Sequence, residues 1–275
     1  MHTPIQPDKR YVDRYLAAGL SPVEAAYASL VQGMDKSLGD IMDYLREKGI
    51  DKNTIIIFMS DNGGLSNAGR GGIRNTHNLP LRAGKGSVYE GGIRVPLMVH
   101  WPGVTKPGSR TKQYVMAEDL FPTILAMAGI PLPQAGSEKS LLQAGKTTQP
   151  AAKQLTRIDG RSYVPVLKNP LYTDTSRALV FHYPNRWTTR EDEGIAWVSA
   201  IRKGPWKLVY LMKQQKLELY NLDTDLGEQH DLASTYPQQV ARLAHLLGDE
   251  LRQRDAQMPT WKASGRQVAW PDELK

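Results

Sequence analysis

The residues with the clearest chemical potential sit where an apolar run stops. In IIIFMSDNGG, residues 55–64, five large apolar residues lead into Ser60, Asp61, Asn62, Gly63 and Gly64. A carboxylate beside a side-chain carbonyl offers two hard oxygen donors, the kind that Ca2+ or Mg2+ takes. The two glycines let the backbone turn sharply and approach a ligand closely. Asp and Asn also open ordinary turns, so on these residues alone a metal site and a plain turn both stand. In LRAGKGSVYEGGIRVP, residues 81–96, Lys85 lies between two glycines. A lysine so placed presents a compact positive charge to an oxyanion such as sulfate or phosphate; the alternative is a solvated loop lysine. The spacing is not that of a P-loop. Glu90 and Arg94, four apart, read as an ion pair that shapes the loop rather than as catalysts. His182, in VFHYPNRW, is a candidate for a substrate subsite or a histidine on a sheet surface, and His77 is a further candidate. His100, His230 and His245 read as surface or structural residues.

These residues need elements to position them. Ser21-Pro22-Val23-Glu24 is a capping box with proline at the first helical position. It opens a long helix whose predicted inner face is Val23, Tyr27, Leu30, Val31, Met34, Leu38, Ile41, Met42 and Leu45, closed at Gly49. TIIIFMS follows at once, as a buried strand covered on both faces would. Residues 60–94 are glycine-rich and polar and predict a long functional loop. IRVPLMVHW, 93–101, predicts a second buried strand, and AEDLFPTILAMAG, 117–129, a short helix. RALVFHY, AWVSAIRK, WKLVYLM and KLELYNL predict a small antiparallel sheet with a turn at Gly204-Pro205, and residues 237–255 a closing amphipathic helix.

The fold class implied is α/β: a mixed sheet flanked by helices, then a small antiparallel subdomain with a packed helix. The predicted division is 1–130 for the α/β part, 131–158 for a Gln-, Ala- and Ser-rich surface excursion or linker, and 159–275 for the α+β subdomain. No internal repeat is visible.

Bulk composition excludes several classes. Hydrophobic residues are 40% and charged residues 23% of 275, with a net charge of +7 spread along the chain. That suits an anionic ligand, but there is no basic block and no nucleic-acid-binding motif. There are no cysteines, so disulfides, thiolate metal sites and cysteine nucleophiles are excluded. No apolar run is long enough to span a membrane. MHTPIQPDKRY lacks the features of a signal peptide, and the compartment is not readable.

Taken together and in order, several stretches resemble the type I, formylglycine-dependent sulfatases of the alkaline phosphatase superfamily. They are MDKSLGDIMDYLREKGIDKNTIIIFMSDNGG, LRAGKGSVYEGGIRVPLMVHWPG, DLFPTILAMAGI, DGRSYVPVL, AIRKGPWKLVY and ELYNLDTDLGEQHDLA. The resemblance runs over nearly the whole chain and matches the family's carboxyl half. It implies that Asp61 and Asn62 are two ligands of a divalent metal, usually Ca2+ with Mg2+ as the alternative. It implies that Lys85 contacts the sulfate group, and that His2, in HTPIQ, does so too. A lysine and a histidine there would stabilise charge on the sulfuryl oxygens and protonate the leaving oxygen.

The sequence departs from that family in two respects. The nucleophile lies within Cys/Ser-x-Pro-x-Arg and becomes a formylglycine whose hydrate attacks sulfur; no such segment occurs here, SNAGR at 66–70 lacking the proline. The adjacent aspartate pair that completes the family's metal shell is also absent. The reading is therefore a C-terminal portion of a sulfatase, inactive alone, with formylglycine expected in a complementary N-terminal part. An exposed apolar face would favour pairing with such a fragment or self-association. The implied partners are a sulfate ester or sulfated glycan, with no nucleic acid and no membrane. Two alternatives stay open: a phosphodiesterase or phosphonate hydrolase of the same superfamily, and a non-catalytic anion- or sulfated-glycan-binding module.

Overall fold

The structure, a computed structural model, describes residues 5–65, 78–132, 158–186 and 194–274. His2, His77 and nearly all of the 131–158 excursion lie outside the described residues. The chain divides into two compact units that do not follow sequence order: residues 1–98 with 175–275, and residues 99–174.

In the first unit a short helix, α1 (Val12–Ala17), precedes the long helix α2 (Pro22–Glu47). The predicted capping box is present. Glu24 N–H donates to Ser21 Oγ at 3.4 Å, and Ser21 N–H to Glu24 Oε2 at 3.3 Å. At the other end Gly49 takes φ +68°. Ile50 N–H reaches Leu45 O at 3.1 Å and Gly49 N–H reaches Arg46 O at 3.0 Å, closing the helix as a Schellman turn.

The most buried face of α2 is not the predicted one, of which Val23, Tyr27, Leu30, Leu38, Met42 and Leu45 are half-buried. Its buried residues are Ala25, Ala26, Ser29 and Gly33, whereas Val31, Met34 and Ile41 are exposed. The small residues accept the N-terminal lead-in. Asp8 N–H donates to Ser29 Oγ at 2.9 Å, and a side chain at Gly33 would run into the Asp8 carboxylate. Close approach selects small side chains, so an apolar count alone picks the wrong stripe.

The strand β1 (Ile56–Met59) is half-buried along its length. It forms a two-stranded sheet with β2 (Leu97–His100), where Met98 and His100 are exposed. Neither strand is covered on both faces as expected, because among the described residues this sheet has two strands and no full second layer. Between them lies the one-turn helix α3 (Glu90–Ile93).

The C-terminal strands form the predicted antiparallel sheet. β3 (Leu179–Tyr183), β4 (Val198–Lys203), β5 (Trp206–Leu211) and β6 (Lys216–Asn221) follow one another in a simple meander. Gly204-Pro205 makes the tight turn, with Lys203 opposite Trp206 and Gly204 at φ +58°. One sheet face packs on α6 (Pro237–Gln253) through Ile201, Leu208 and Leu219 against Leu243, Leu247 and Leu251. The other face packs Val198, Ala200, Val209 and Tyr220 against Val88 and Tyr89. The glycine-rich loop is therefore a covering layer of this sheet.

In the second unit a 3-10 turn at Ala117–Asp119 leads into α4 (Leu120–Met127), followed by α5 (Val164–Lys168). The buried Asp119 carboxylate accepts from Met116 N–H and Arg161 N–H, both at 2.7 Å. Thr123 Oγ1 accepts from Tyr163 N–H at 3.0 Å. Among the described residues no helix is long and apolar enough to cross a membrane.

Candidate functional site

The strand β1 ends at Met59, and the chain turns at once. Ser60 Oγ donates to Asn62 O at 2.9 Å, and Asp61 Oδ1 accepts from Asn62 N–H at 3.0 Å. Asp61 is exposed and Asn62 half-buried. The next residues fasten this turn to the second glycine-rich stretch. Gly63 N–H donates to Gly92 O at 2.9 Å, and Lys85 N–H donates to Gly64 O at 3.0 Å. Asn78 bridges the same strands of chain: its amide donates to Gly64 O at 2.9 Å and Ala83 O at 3.0 Å, and its carbonyl accepts from Gly64 N–H at 3.1 Å. Glycine is required for this contact, since a Cβ at Gly63 would run into the Gly91 carbonyl and one at Gly91 into the Arg82 carbonyl. Asp61, Asn62 and Lys85 are thus brought together on one backbone cradle.

A charged layer lies behind the cradle. Glu90 Oε2 is 3.3 Å from Arg94 Nη1, the pair read from the sequence. The same carboxylate also takes Lys207 Nζ at 2.9 Å and Arg202 Nη1 at 3.4 Å. Lys207 Nζ in turn reaches Glu228 Oε1 at 2.8 Å, and Glu228 Oε2 accepts the Glu90 N–H at 2.6 Å. The Lys207 side chain is wholly buried. Burial alone would raise the Glu90 carboxyl, but Lys207, Arg202 and Arg94 outweigh it and hold it below its ordinary range. Burial also raises Glu228, and there Lys207 offsets only part of the effect.

A second polar group anchors the loop's start. The Arg82 guanidinium lies 3.7 Å from the Tyr89 ring centroid and donates to Tyr220 Oη at 2.9 Å. Tyr89 Oη and Tyr220 Oη both donate to Glu218 Oε2, at 2.5 and 2.8 Å. Burial and the Glu218 carboxylate push both phenols well above their ordinary value. None of Arg82, Lys207, Glu218, Tyr220 or Glu228 is marked by local spacing. For Lys207 and Glu218 the available signal was charge at inward positions of otherwise apolar strands.

His182 belongs to a different setting. Its Nδ1 lies 2.7 Å from Ser199 Oγ and its Nε2 2.8 Å from the Gln257 carbonyl. A carbonyl only accepts, so Nε2 carries the proton and Nδ1 accepts from Ser199. Burial lowers its pKa. His230 and His245 are exposed beside acidic residues, Asp225 at 3.5 Å and Asp249 at 3.4 Å respectively.

The donor set at Asp61 and Asn62 suits a hard cation in kind but not in number. Two side-chain oxygens fall short of the six to eight that Ca2+ usually takes. Among the described residues no group of three or more histidine or carboxylate side chains converges on one point.

Residues 1–130 match the Sulfatase family. A sulfatase from Formosa agariphila is 31% identical over 290 residues, taking in 98% of this chain and 48% of that protein. The crystal structure of Ps i-CgsB superposes with a TM-score of 0.66 at 28% identity, over 92% of this chain and 47% of that one. The chain belongs to the sulfatase family. Its fold is the alkaline-phosphatase-like fold of those sulfatases, and it spans about half their length. Ps i-CgsB has also been crystallised with k-i-k-neocarrahexaose. A sulfatase-fold neighbour, BT4656, is in complex with its substrate D-glucosamine-2-N,6-O-disulfate, at TM-score 0.60 and 25% identity over 84% of this chain and 40% of that one. The phosphonate monoester hydrolase SpPMH from Silicibacter pomeroyi shares the fold, with a TM-score of 0.56 at 23% identity over 91% of this chain and 45% of that one.

Proposed function

We propose that this chain carries one part of a sulfate-ester hydrolase site and is inactive without the rest. The observation that supports this is the cradle in which the Lys85 N–H bonds Gly64 O at 3.0 Å, two residues beyond Asn62. It ties the backbone of the loop that carries Lys85 to the turn that carries two hard oxygen donors, in a family whose members are sulfatases. In this reading Lys85 draws negative charge from the sulfuryl oxygens as the ester bond breaks. His2 would make a second sulfate contact and pass a proton to the leaving oxygen. Asp61 and Asn62 would contribute two donors to a Ca2+ or Mg2+ site completed by groups outside the described residues. Such an ion supplies Lewis-acid polarisation of the ester when bound. The formylglycine nucleophile would come from a complementary stretch of polypeptide, since no Cys/Ser-x-Pro-x-Arg occurs among the 275 residues.

The substrate class we propose is a sulfated saccharide. The support is that BT4656 is bound to a disulfated glucosamine in its crystal. The test is turnover of 4-nitrophenyl sulfate by the purified chain, with and without Ca2+, beside calorimetric titration of sodium sulfate. No turnover but saturable sulfate binding, lost in Lys85→Ala, is expected. Turnover by the chain alone would overturn the proposal that it is incomplete. Tighter binding of methylphosphonate than of sulfate would favour a phosphonate hydrolase. Metal-independent binding of a sulfated sugar, still dependent on Lys85, would favour a binding module.

A further inference from the structure

We infer that Lys207 and Glu228 are positioning residues that fix the Lys85 loop against the C-terminal sheet. The inference rests on the reading of Lys85 as an anion contact for its purpose, and on geometry for its substance. The loop from Arg82 to Gly92 is closed at its base, where Gly91 N–H donates to Arg82 O at 2.8 Å. Lys85 lies between the two stems of that closure. Glu228 grips both. Its backbone carbonyl accepts from Arg82 Nη1 at 3.0 Å, on the first stem. Its carboxylate accepts the Glu90 N–H at 2.6 Å, on the second. Glu228 does this from φ +51°, a left-handed conformation unusual for a residue with a side chain.

Lys207 locks the grip. Its ammonium stands between the Glu90 and Glu228 carboxylates at 2.9 and 2.8 Å, with no exposed side-chain surface. Lys207 also lies directly opposite Arg202 across the β4–β5 pair. Two cations facing each other on neighbouring strands disfavour pairing, and buried ion pairs seldom stabilise more than well-packed apolar residues would. What the charges provide instead is one defined seat for Glu90. An apolar layer would hold the loop down without fixing where Lys85 sits.

The test is amide hydrogen exchange of the full chain as Lys207→Met and Glu228→Gln, with Lys207→Arg as the conservative control, paired with titration of sodium sulfate. In both disruptive variants, Lys85 N–H and Gly91 N–H should exchange at least about tenfold faster, and in Glu228→Gln, which leaves Lys207 paired with Glu90, amides of β5 and β6 should keep their protection. Sulfate affinity should fall several-fold in step with this loosening, and Lys207→Arg should restore both. Protection lost evenly across β4–β6 in Glu228→Gln would overturn the inference, by showing a general structural role. Unchanged loop amides, or loosened amides with unchanged sulfate affinity, would also overturn it. Loop-confined loosening in a chain whose parent form binds no sulfate would support the anchoring and reject only the reading of Lys85. If Lys207→Met does not fold, the isosteric Glu228→Gln carries the same comparison.

Discussion

Lys207 and the two glutamates beside it show how strongly single residues are committed in this chain. The lysine has no exposed side-chain surface, and its two carboxylate partners are almost as buried. Removing it leaves two acidic groups in a dry site. Lys207→Met is therefore expected to destabilise the chain by about 3–5 kcal/mol in urea unfolding, the cost of breaking a buried pair by deleting one partner. A loss under about 1 kcal/mol, typical of exposed pairs, would show that water reaches the site. His182 gives a pH-dependent counterpart. Burial sets its folded pKa below the ordinary 6.5. As pH falls below 6.5 the unfolded chain takes up the proton first, so stability present above 6.5 is lost as pH drops through the folded value. Thermal melts of His182→Gln should show a flatter slope over that window than the parent. An equal slope would mean that His182 is not the titrating group. The Glu90–Arg94 pair was legible because both partners lie in one short motif. Lys207, Arg202 and Glu228 lie more than a hundred residues away, and no local spacing connects them to Glu90.

At the scale of elements, regular pieces are legible in the sequence where apolar residues recur at a fixed period. The four strands and α6 follow such a period, the sheet packing one face on α6 and the other on Val88 and Tyr89. The capping box and terminal glycine of α2 are local chemistry, and they too are readable. The buried face of α2 is not. Its most buried stripe is Ala25, Ala26, Ser29 and Gly33, with Ser29 and Gly33 against Asp8, while Val31, Met34 and Ile41 are exposed and Tyr27, Leu30 and Leu38 only half-buried. The two stripes should therefore respond in opposite ways. Ala25→Leu is expected to cost about 1–3 kcal/mol by overpacking. Ile41→Ser, at a side chain 55% exposed, should change stability by no more than about 0.5 kcal/mol. Chemical denaturation of both variants checks this, and the reverse order would restore the face predicted from hydrophobicity. The same logic explains β1 and β2. Their apolar runs are those of covered strands, yet the described residues cover them only in part.

At the scale of the whole molecule, the chain spans about half of the sulfatases it resembles, and the proposed site residues it carries are correspondingly part of a set. Asp61, Asn62 and Lys85 share one cradle, and the C-terminal sheet carries the charged layer that seats it. A nucleophile segment and an adjacent aspartate pair are absent from the sequence. We propose the cradle around Lys85 as the oxyanion end of a sulfate-ester site. Calorimetric titration of the purified chain with sodium sulfate, parent against Lys85→Ala, tests it most directly. Saturable binding by the parent is predicted, weakened at least about tenfold, or about 1.4 kcal/mol, in the variant. No binding by the parent, or equal binding by both, would contradict it.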